Sequence, residues 1–327
     1  MVDRQNKSSH RLCIAPMLNR TDRHYRYLAR LLTKHSLLYT EMITTGALLH
    51  HDHRRRLKFD PCEHPVALQL GGSCPDEMAQ CAEYATEYGY DEINLNVGCP
   101  SNRVQAGKFG ACLMLEPRTV AHCIKAIRAA THIEVSVKTR LGVDNHDSYQ
   151  NLHHFVETVA SEGCMTFIIH ARKAFLKGLS PKENRTVPPL CYEFVYRLKQ
   201  DFQGLEIILN GGIHTRAAVL EHLGKVDGVM IGRKAYEDPY FMAEVDTMLF
   251  DSGTNSRHEV LKKYIRYMRQ QQHEGVPLST LTRHLPGLFH GMPGARAWRK
   301  CLLSNAGKNG AGIEAVYRAE SLLAHHR

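Results

Sequence analysis

The chain has 327 residues, with 42 Lys plus Arg against 33 Asp plus Glu, a formal net charge of +9 before its 21 histidines are counted. An apolar content of 43% and a charged content of 23% exclude general disorder and allow a core of ordinary size. The first ten residues, MVDRQNKSSH, are polar and no run approaches the ~20 apolar residues that span a bilayer, so a cytoplasmic protein is expected rather than a secreted or membrane-inserted one.

In chain order, a short apolar or β-rich run recurs: LCIAPM at 12–17, LLYTEMI at 37–43, VALQLGG at 66–72 and EINLNVG at 92–98. The series continues with EVSVKTR at 134–140, FIIHAR at 167–172, EIILNGG at 206–212 and GVMIGR at 228–233. Between them lie segments such as DEMAQCAEYATEYG, RTVAHCIKAIRAA, NLHHFVETVASEG and RAAVLEHLG, whose apolar residues fall at helical spacing. Strands without clean polar–apolar alternation, each followed by a helix, predict a parallel sheet covered on its faces. Eight such units in about 240 residues match a (β/α)8 barrel, that is, a TIM barrel. A doubly wound open sheet is the rival architecture, but no G-x-G-x-x-G follows the first run.

After Asp238 and Pro239 the strand signals stop. An eighth barrel helix, the segment RHEVLKKYIRYMRQQQHEG, and shorter helices broken by Pro286, Pro293 and Gly294 are predicted, the last over 312–325. The predicted division is a barrel over 1–250 and an all-α C-terminal domain over 251–327, entered through the polar run DSGTNS. From Asp246 onward there are 12 basic and 6 acidic residues, a net +6 out of the chain's +9. Such a cluster is either a solvated helical surface or a face that binds a polyanion. The ten cysteines include no C-x-x-C pair, so they read as reduced thiols and no metal site is expected.

In a barrel of this kind the chemistry sits at the C-terminal strand ends. Those ends carry Pro16 and Met17, Glu41, Gln69, Asn94 with Asn96 and Cys99, Lys138 with Arg140, His170 with Arg172, Asn210–Gly212, and Gly232 with Arg233. Gly211, Gly212, Gly232 and Arg233 suit a phosphate held after the last two strands, or are simply turn glycines. Lys138 and His170 can stabilise negative charge on a bound ring. Cys99 lies just past its strand on GCPSNRVQAGKFG, a polar, Gly-containing loop of the kind that forms lids. A thiol with a reference pKa of about 8.5 is mostly protonated near neutrality and can donate a proton.

The runs IAPM, EINLNVGCPS, VKTRLG, IHARK, LNGGI and MIGR, in this order, resemble the tRNA-dihydrouridine synthases, flavin enzymes on a (β/α)8 barrel with a C-terminal helical domain. NVGCPSNRVQAGKFGACLM and KGLSPKENRTVPPL are similar to the branch associated with dihydrouridine at positions 20 and 20a of the tRNA D-loop. The resemblance implies FMN held by Pro16, Met17, Leu18, Gln69, Lys138, His170, Asn210, Gly211, Gly212, Gly232 and Arg233, with NADPH as the reductant. It implies Cys99 as proton donor, Asn96 in contact with the target uridine, and Lys182, Arg185, Arg296 and Arg299 gripping tRNA. Lys234 stands where the family usually has a small residue. A barrel flavoenzyme acting on a free small molecule, like a dihydroorotate dehydrogenase, is the alternative; a non-catalytic RNA-binding protein would not need Cys99, Lys138 and His170 together.

Overall fold

The computed structural model describes residues 10–305 and 312–324. His325, the expected end of the last helix, lies outside the described residues, as do residues 1–9 of the polar N-terminal stretch. In chain order the strands are β1 (Leu12–Ile14), β2 (Leu37–Tyr39), β3 (Ile43–Thr44), β4 (Val66–Gly71), β5 (Glu92–Val97), β6 (Glu134–Arg140), β7 (Thr166–His170), β8 (Glu206–Asn210) and β9 (Gly228–Ile231). The first eight helices are α1 (Arg23–Leu32), α2 (Thr45–Leu49), α3 (His53–Leu57), α4 (Pro75–Glu87), α5 (Asn102–Ala106), α6 (Pro117–Ala130), α7 (Tyr149–Ala160) and α8 (Tyr192–Asp201). The remainder are α9 (Arg216–Leu223), α10 (Arg233–Glu237), α11 (Tyr240–Phe250), α12 (Arg257–His273), α13 (Leu278–Thr282), α14 (Ala295–Asn305) and α15 (Glu314–Ala324). They form two compact units, Met1–Leu18 with Ser36–Ile231, and Asn19–His35 with Gly232–Arg327.

The first unit contains a closed parallel barrel. Its strands run in the order β2-β1-β9-β8-β7-β6-β5-β4, and a β2–β4 pairing completes the ring. All eight expected strand runs lie on it. The run at 37–43 divides into β2 and a two-residue β3 that extends only the end of β4.

The register shows alternation that the buried character of the strands conceals. On β5, Glu92, Asn94 and Asn96 share one face and Ile93, Leu95 and Val97 the other. In-register neighbours put Gln69 beside Asn94 and Asn94 beside Ser136, inside the barrel. Asn94 is thus fully buried in mid-strand rather than at the mouth. Much of the remaining interior is apolar, with Cys13, Ala15, Leu37, Tyr39, Ala67, Ile168, Ile208 and Met230 in one cluster.

Glu92 and Glu206 open their strands, so their carboxylates lie at the N-terminal floor of the barrel. His10 pairs with both, through Nε2 with Glu92 and at 2.7 Å through Nδ1 with Glu206. Tyr39 donates to Glu92 at 2.9 Å.

Among the described residues the regular elements of the second unit are all helices, with Trp298, Tyr264, Phe289, Leu28 and Leu285 in its core. A reciprocal cap between Ser256 and Glu259 starts α12, satisfying donors that the first helical turn leaves open. Trp298 and Leu302 anchor α14, while Arg296, Arg299, Lys300 and Leu303 on the same helix are exposed. The expected boundary between 250 and 251 falls inside this unit, where Asp251 ends α11 in the left-handed conformation. Lys234 is accommodated by an ion pair of 2.9 Å with Asp238.

Burial alone would lower the His10 pKa, but the charge of Glu92 and hydrogen bonds to Glu206 and Glu92 outweigh it and raise it to about 10. Stability from this imidazolium is therefore complete below the ordinary value of 6.5 and is lost as pH rises through about 10. His10→Gln should cost about 3 kcal/mol at mildly acidic pH. Urea midpoints of the two proteins should converge as the pH is raised toward 10; a constant difference would contradict this.

Candidate functional site

The expected flavin and catalytic residues of the first unit lie on the C-terminal halves of their strands or just beyond them. Pro16 and Met17 follow β1 half-buried, and Leu18 is 69% exposed. Gln69 is buried on β4 and Asn96 is half-buried on β5. Lys138, His170 and Asn210 come from β6, β7 and β8. Gly232 and Arg233 follow Ile231 directly in the chain and open the second unit, with Gly232 capping α10.

Asn96 links the barrel interior to the Cys99 loop. Its Nδ2 donates to Gln69 Oε1 at 2.9 Å, and its Oδ1 accepts from the backbone N–H groups of Gly98 at 3.2 Å and Cys99 at 3.0 Å. The Cys99 thiol is half-buried, 3.6 Å from the Ser101 hydroxyl. The stretch after it is not an irregular loop: it contains α5, and Ala111 closes back on the Cys99 carbonyl at 2.9 Å. Gln105 Nε2 donates to the carbonyls of Pro100 and Leu176, both at 2.8 Å, which ties this segment to the loop after β7.

Arg140, at the end of β6, is buried and gathers three carbonyls from the loops after β5 and β7. Nε donates to the Gly98 carbonyl at 2.8 Å, and Nη1 to the carbonyls of Lys173 at 3.1 Å and Asn184 at 3.0 Å. Asn184 in turn binds Phe175 through both its amide oxygen and nitrogen, at 2.8 Å and 3.0 Å. Sequence reasoning placed Arg140 at a strand end but missed both tethers, because a polar residue inside KENR carries no sign that it is buried. Lys182 and Arg185, on either side of Asn184, are exposed. Lys182 directly follows Pro181, which with Asn102, Gly178, Leu179 and Ser180 lines a cavity of about 450 Å³.

Lys138 Nζ donates to Asn210 Oδ1 at 3.1 Å, and Asn210 Nδ2 donates to the Met230 carbonyl at 2.8 Å. Gly211 and Gly212 follow with φ of +114° and +74°. A Cβ at Gly211 would lie 2.7 Å from His170 Cδ2, and one at Gly212 would strike the Tyr192 hydroxyl, so only glycine leaves this strand end open. Tyr192 donates to the Gly211 carbonyl at 3.1 Å and holds the turn.

This donor set suits a flat heteroaromatic ring with carbonyl groups. Gln69 offers both a donor and an acceptor, Lys138 a cation, and the glycine turn a backbone that a ligand can approach. The residues present therefore fit a flavin. Among the described residues no group of three or more His, Cys, Asp or Glu could hold a metal ion, and no helix is long and apolar enough to cross a membrane.

Residues 13–323 match the family described as Dihydrouridine synthase (Dus). The tRNA-dihydrouridine(20/20a) synthase of Shewanella oneidensis is 56% identical over 305 residues, 93% of this chain and 91% of the relative. Relatives of the same name from Synechocystis and Pseudomonas aeruginosa are 53% identical over 311 residues and 52% over 318, covering 94% and 97% of this chain and 93% and 96% of theirs.

Burial, followed by the charge of Arg140, brings the Lys138 pKa down to about 7, with Cys99 opposing the shift. A ligand that presents lone pairs or negative charge to Nζ favours the ammonium, so above pH 7 its binding takes up a proton. FMN affinity of the flavin-free protein should fall by up to about tenfold per pH unit above neutrality, and this slope should vanish in Lys138→Met. Identical slopes in the two proteins, measured by fluorescence titration, would contradict the assignment.

Proposed function

This chain belongs to the dihydrouridine synthase family, and from that premise we propose how its residues carry out the family's reaction. It is a flavin-dependent oxidoreductase that reduces uridine in tRNA to dihydrouridine. The finer reading is reduction of the carbon 5–carbon 6 double bond at positions 20 and 20a of the D-loop, with FMN as the flavin and NADPH as its reductant. The observation that supports it most is Cys99, whose backbone N–H is held by Asn96 at the same barrel end as Lys138, Gln69 and the Gly211–Gly212 turn.

Gln69, Lys138, His170 and Asn210, with Pro16, Met17 and Leu18, would hold the flavin ring. Gly211, Gly212, Gly232 and Arg233 would serve its phosphate. When bound, the flavin supplies the hydride that carbon 6 of the uracil receives. Negative charge then builds on the conjugated carbonyl, and Cys99 gives its proton to carbon 5. Asn96 would orient the uracil through the amide hydrogen that it does not spend on Gln69.

The target base must leave its stack to enter a barrel mouth, and a loop nucleotide does so at lower cost than a paired one. Lys182 and Arg185 from the barrel loops, and Arg296 and Arg299 from α14, would neutralise phosphates of the tRNA body. Residues 251–327 would then be the tRNA-holding domain and 1–250 the catalytic one, in a cytoplasmic enzyme.

In cells lacking this protein, dihydrouridine at positions 20 and 20a should disappear and be restored by the wild-type chain. Cys99→Ala should retain flavin but form product about 10²–10⁴-fold more slowly. Wild-type turnover of that variant would remove Cys99 as the acid. Arg299→Ala should weaken tRNA binding and reduce the slope of log affinity against log salt by about one, while flavin content stays unchanged. A salt-insensitive affinity in the wild type would contradict a phosphate clamp.

A further inference from the structure

We propose that Ser136 and Glu92, neither of which reaches the barrel mouth, are positioning residues for uridine reduction: a directed file of buried hydrogen bonds runs from them to the Cys99 loop and fixes which atom of each intervening amide faces which way. The functional consequence rests on the reading of Cys99 and Asn96 above; the file itself is read from the geometry alone.

The file starts at the floor. A carboxylate can only accept, so Glu92 Oε1 takes the Ser136 hydroxyl proton, together with that of Tyr39 at 2.9 Å. Ser136 has one proton and has spent it, so toward Asn94 its oxygen can only accept, and Asn94 Nδ2 donates to it at 2.7 Å. This turns Asn94 Oδ1 toward Gln69, whose Nε2 donates at 2.7 Å. Gln69 must then present Oε1 to Asn96, and Asn96 Nδ2 donates to it at 2.9 Å. Asn96 Oδ1 is left to receive the N–H groups of Gly98 and Cys99.

Each link thus forces the next. Flipping any one amide sets donor against donor or acceptor against acceptor where Gln69, Glu92, Asn94 and Ser136 have almost no access to water. The strand register makes the file possible, because Gln69, Asn94 and Ser136 are in-register neighbours on β4, β5 and β6, and Glu92, Asn94 and Asn96 occupy alternate positions of β5. The file ends where the reaction needs orientation: an oxygen that holds the Cys99 backbone, and one unspent N–H on each of Gln69 and Asn96 for ligands. Removing the Ser136 hydroxyl deletes the acceptor of Asn94 and a donor to Glu92 together, and with them the direction of the whole file.

The test compares wild type, Ser136→Ala, Ser136→Cys and Ser136→Thr as flavin-loaded proteins, keeping those whose thermal unfolding shows a folded barrel. Cys99 alkylation by iodoacetamide is followed by peptide mass spectrometry, and flavin reduction by NADPH is measured separately from dihydrouridine formation on tRNA. Ser136→Ala should alkylate Cys99 severalfold faster and form dihydrouridine about 10–100-fold more slowly, a loss larger than any change in flavin reduction that a turned Gln69 brings. Ser136→Cys, similar in shape but a weak hydrogen-bonding group, should show the same pair of changes at smaller size and serves if the alanine variant does not fold. Ser136→Thr, which keeps the hydroxyl, should restore both. Wild-type alkylation and product formation in the alanine or cysteine variant would overturn the proposal, as would equal impairment of the threonine variant, which would mean packing alone. A wild-type protein that forms no dihydrouridine would instead refute the functional reading, and the alkylation series would still decide whether the file orients the Cys99 loop.

Discussion

Polar side chains enclosed inside a barrel have no bulk water to turn to, so each must be met by another group of the protein. In this protein that requirement falls on one sector, where β5 points Glu92, Asn94 and Asn96 inward at successive positions. Gln69 and Ser136 supply the partners from the adjoining strands, and His10 with Tyr39 supplies them at the floor. The opposite sector, from β7 through β9 to β1 and β2, contributes mostly apolar side chains such as Ile168, Ile208, Met230, Cys13 and Leu37. One half of the interior therefore supplies burial and the other supplies orientation. The oriented half is the one that carries Cys99.

The mouth is held by the same kind of bond, made to backbone rather than side chain. Arg140 gathers the carbonyls of Gly98, Lys173 and Asn184, and Gln105 gathers those of Pro100 and Leu176. A guanidinium has five donors and no acceptor, which makes it suited to collecting carbonyls from separate loops. Its charge also lies close enough to help depress the Lys138 pKa. One buried cation thus acts both as a fastener of loops and as a tuner of the neighbouring Lys138. The loops around Cys99 in the first unit are fixed in this way, while the second unit presents exposed cations on α14, backed by Trp298 and Leu302.

The barrel was legible because parallel strands buried on both faces appear as apolar runs, and all eight such runs lie on the ring. The strand-end rule led to Gln69, Cys99, Lys138, His170 and Asn210 without any further information. What escaped depended on closure. Glu92 and Glu206 at strand starts look like solvated charges until the ring brings His10 between them. Asn94 looked like a mouth residue because run ends are soft in sequence, whereas the register places it in mid-strand. The division of residues 37–43 into β2 and β3, and the helix α5 within a glycine-containing loop, are set by pairing and by side-chain-to-carbonyl bonds that no local pattern announces.

Under the proposed reading, binding energy from the tRNA body would position the base, an advantage that a free pyrimidine lacks. The most direct measurement is a single-turnover experiment in which the reduced protein is mixed with tRNA carrying uridine at positions 20 and 20a, or with free uridine at the same concentration. Recovery of the oxidised flavin absorbance should be at least about 10²-fold faster with tRNA, and dihydrouridine should appear at the same rate. Equal recovery with tRNA and free uridine would contradict an enzyme built to act on tRNA.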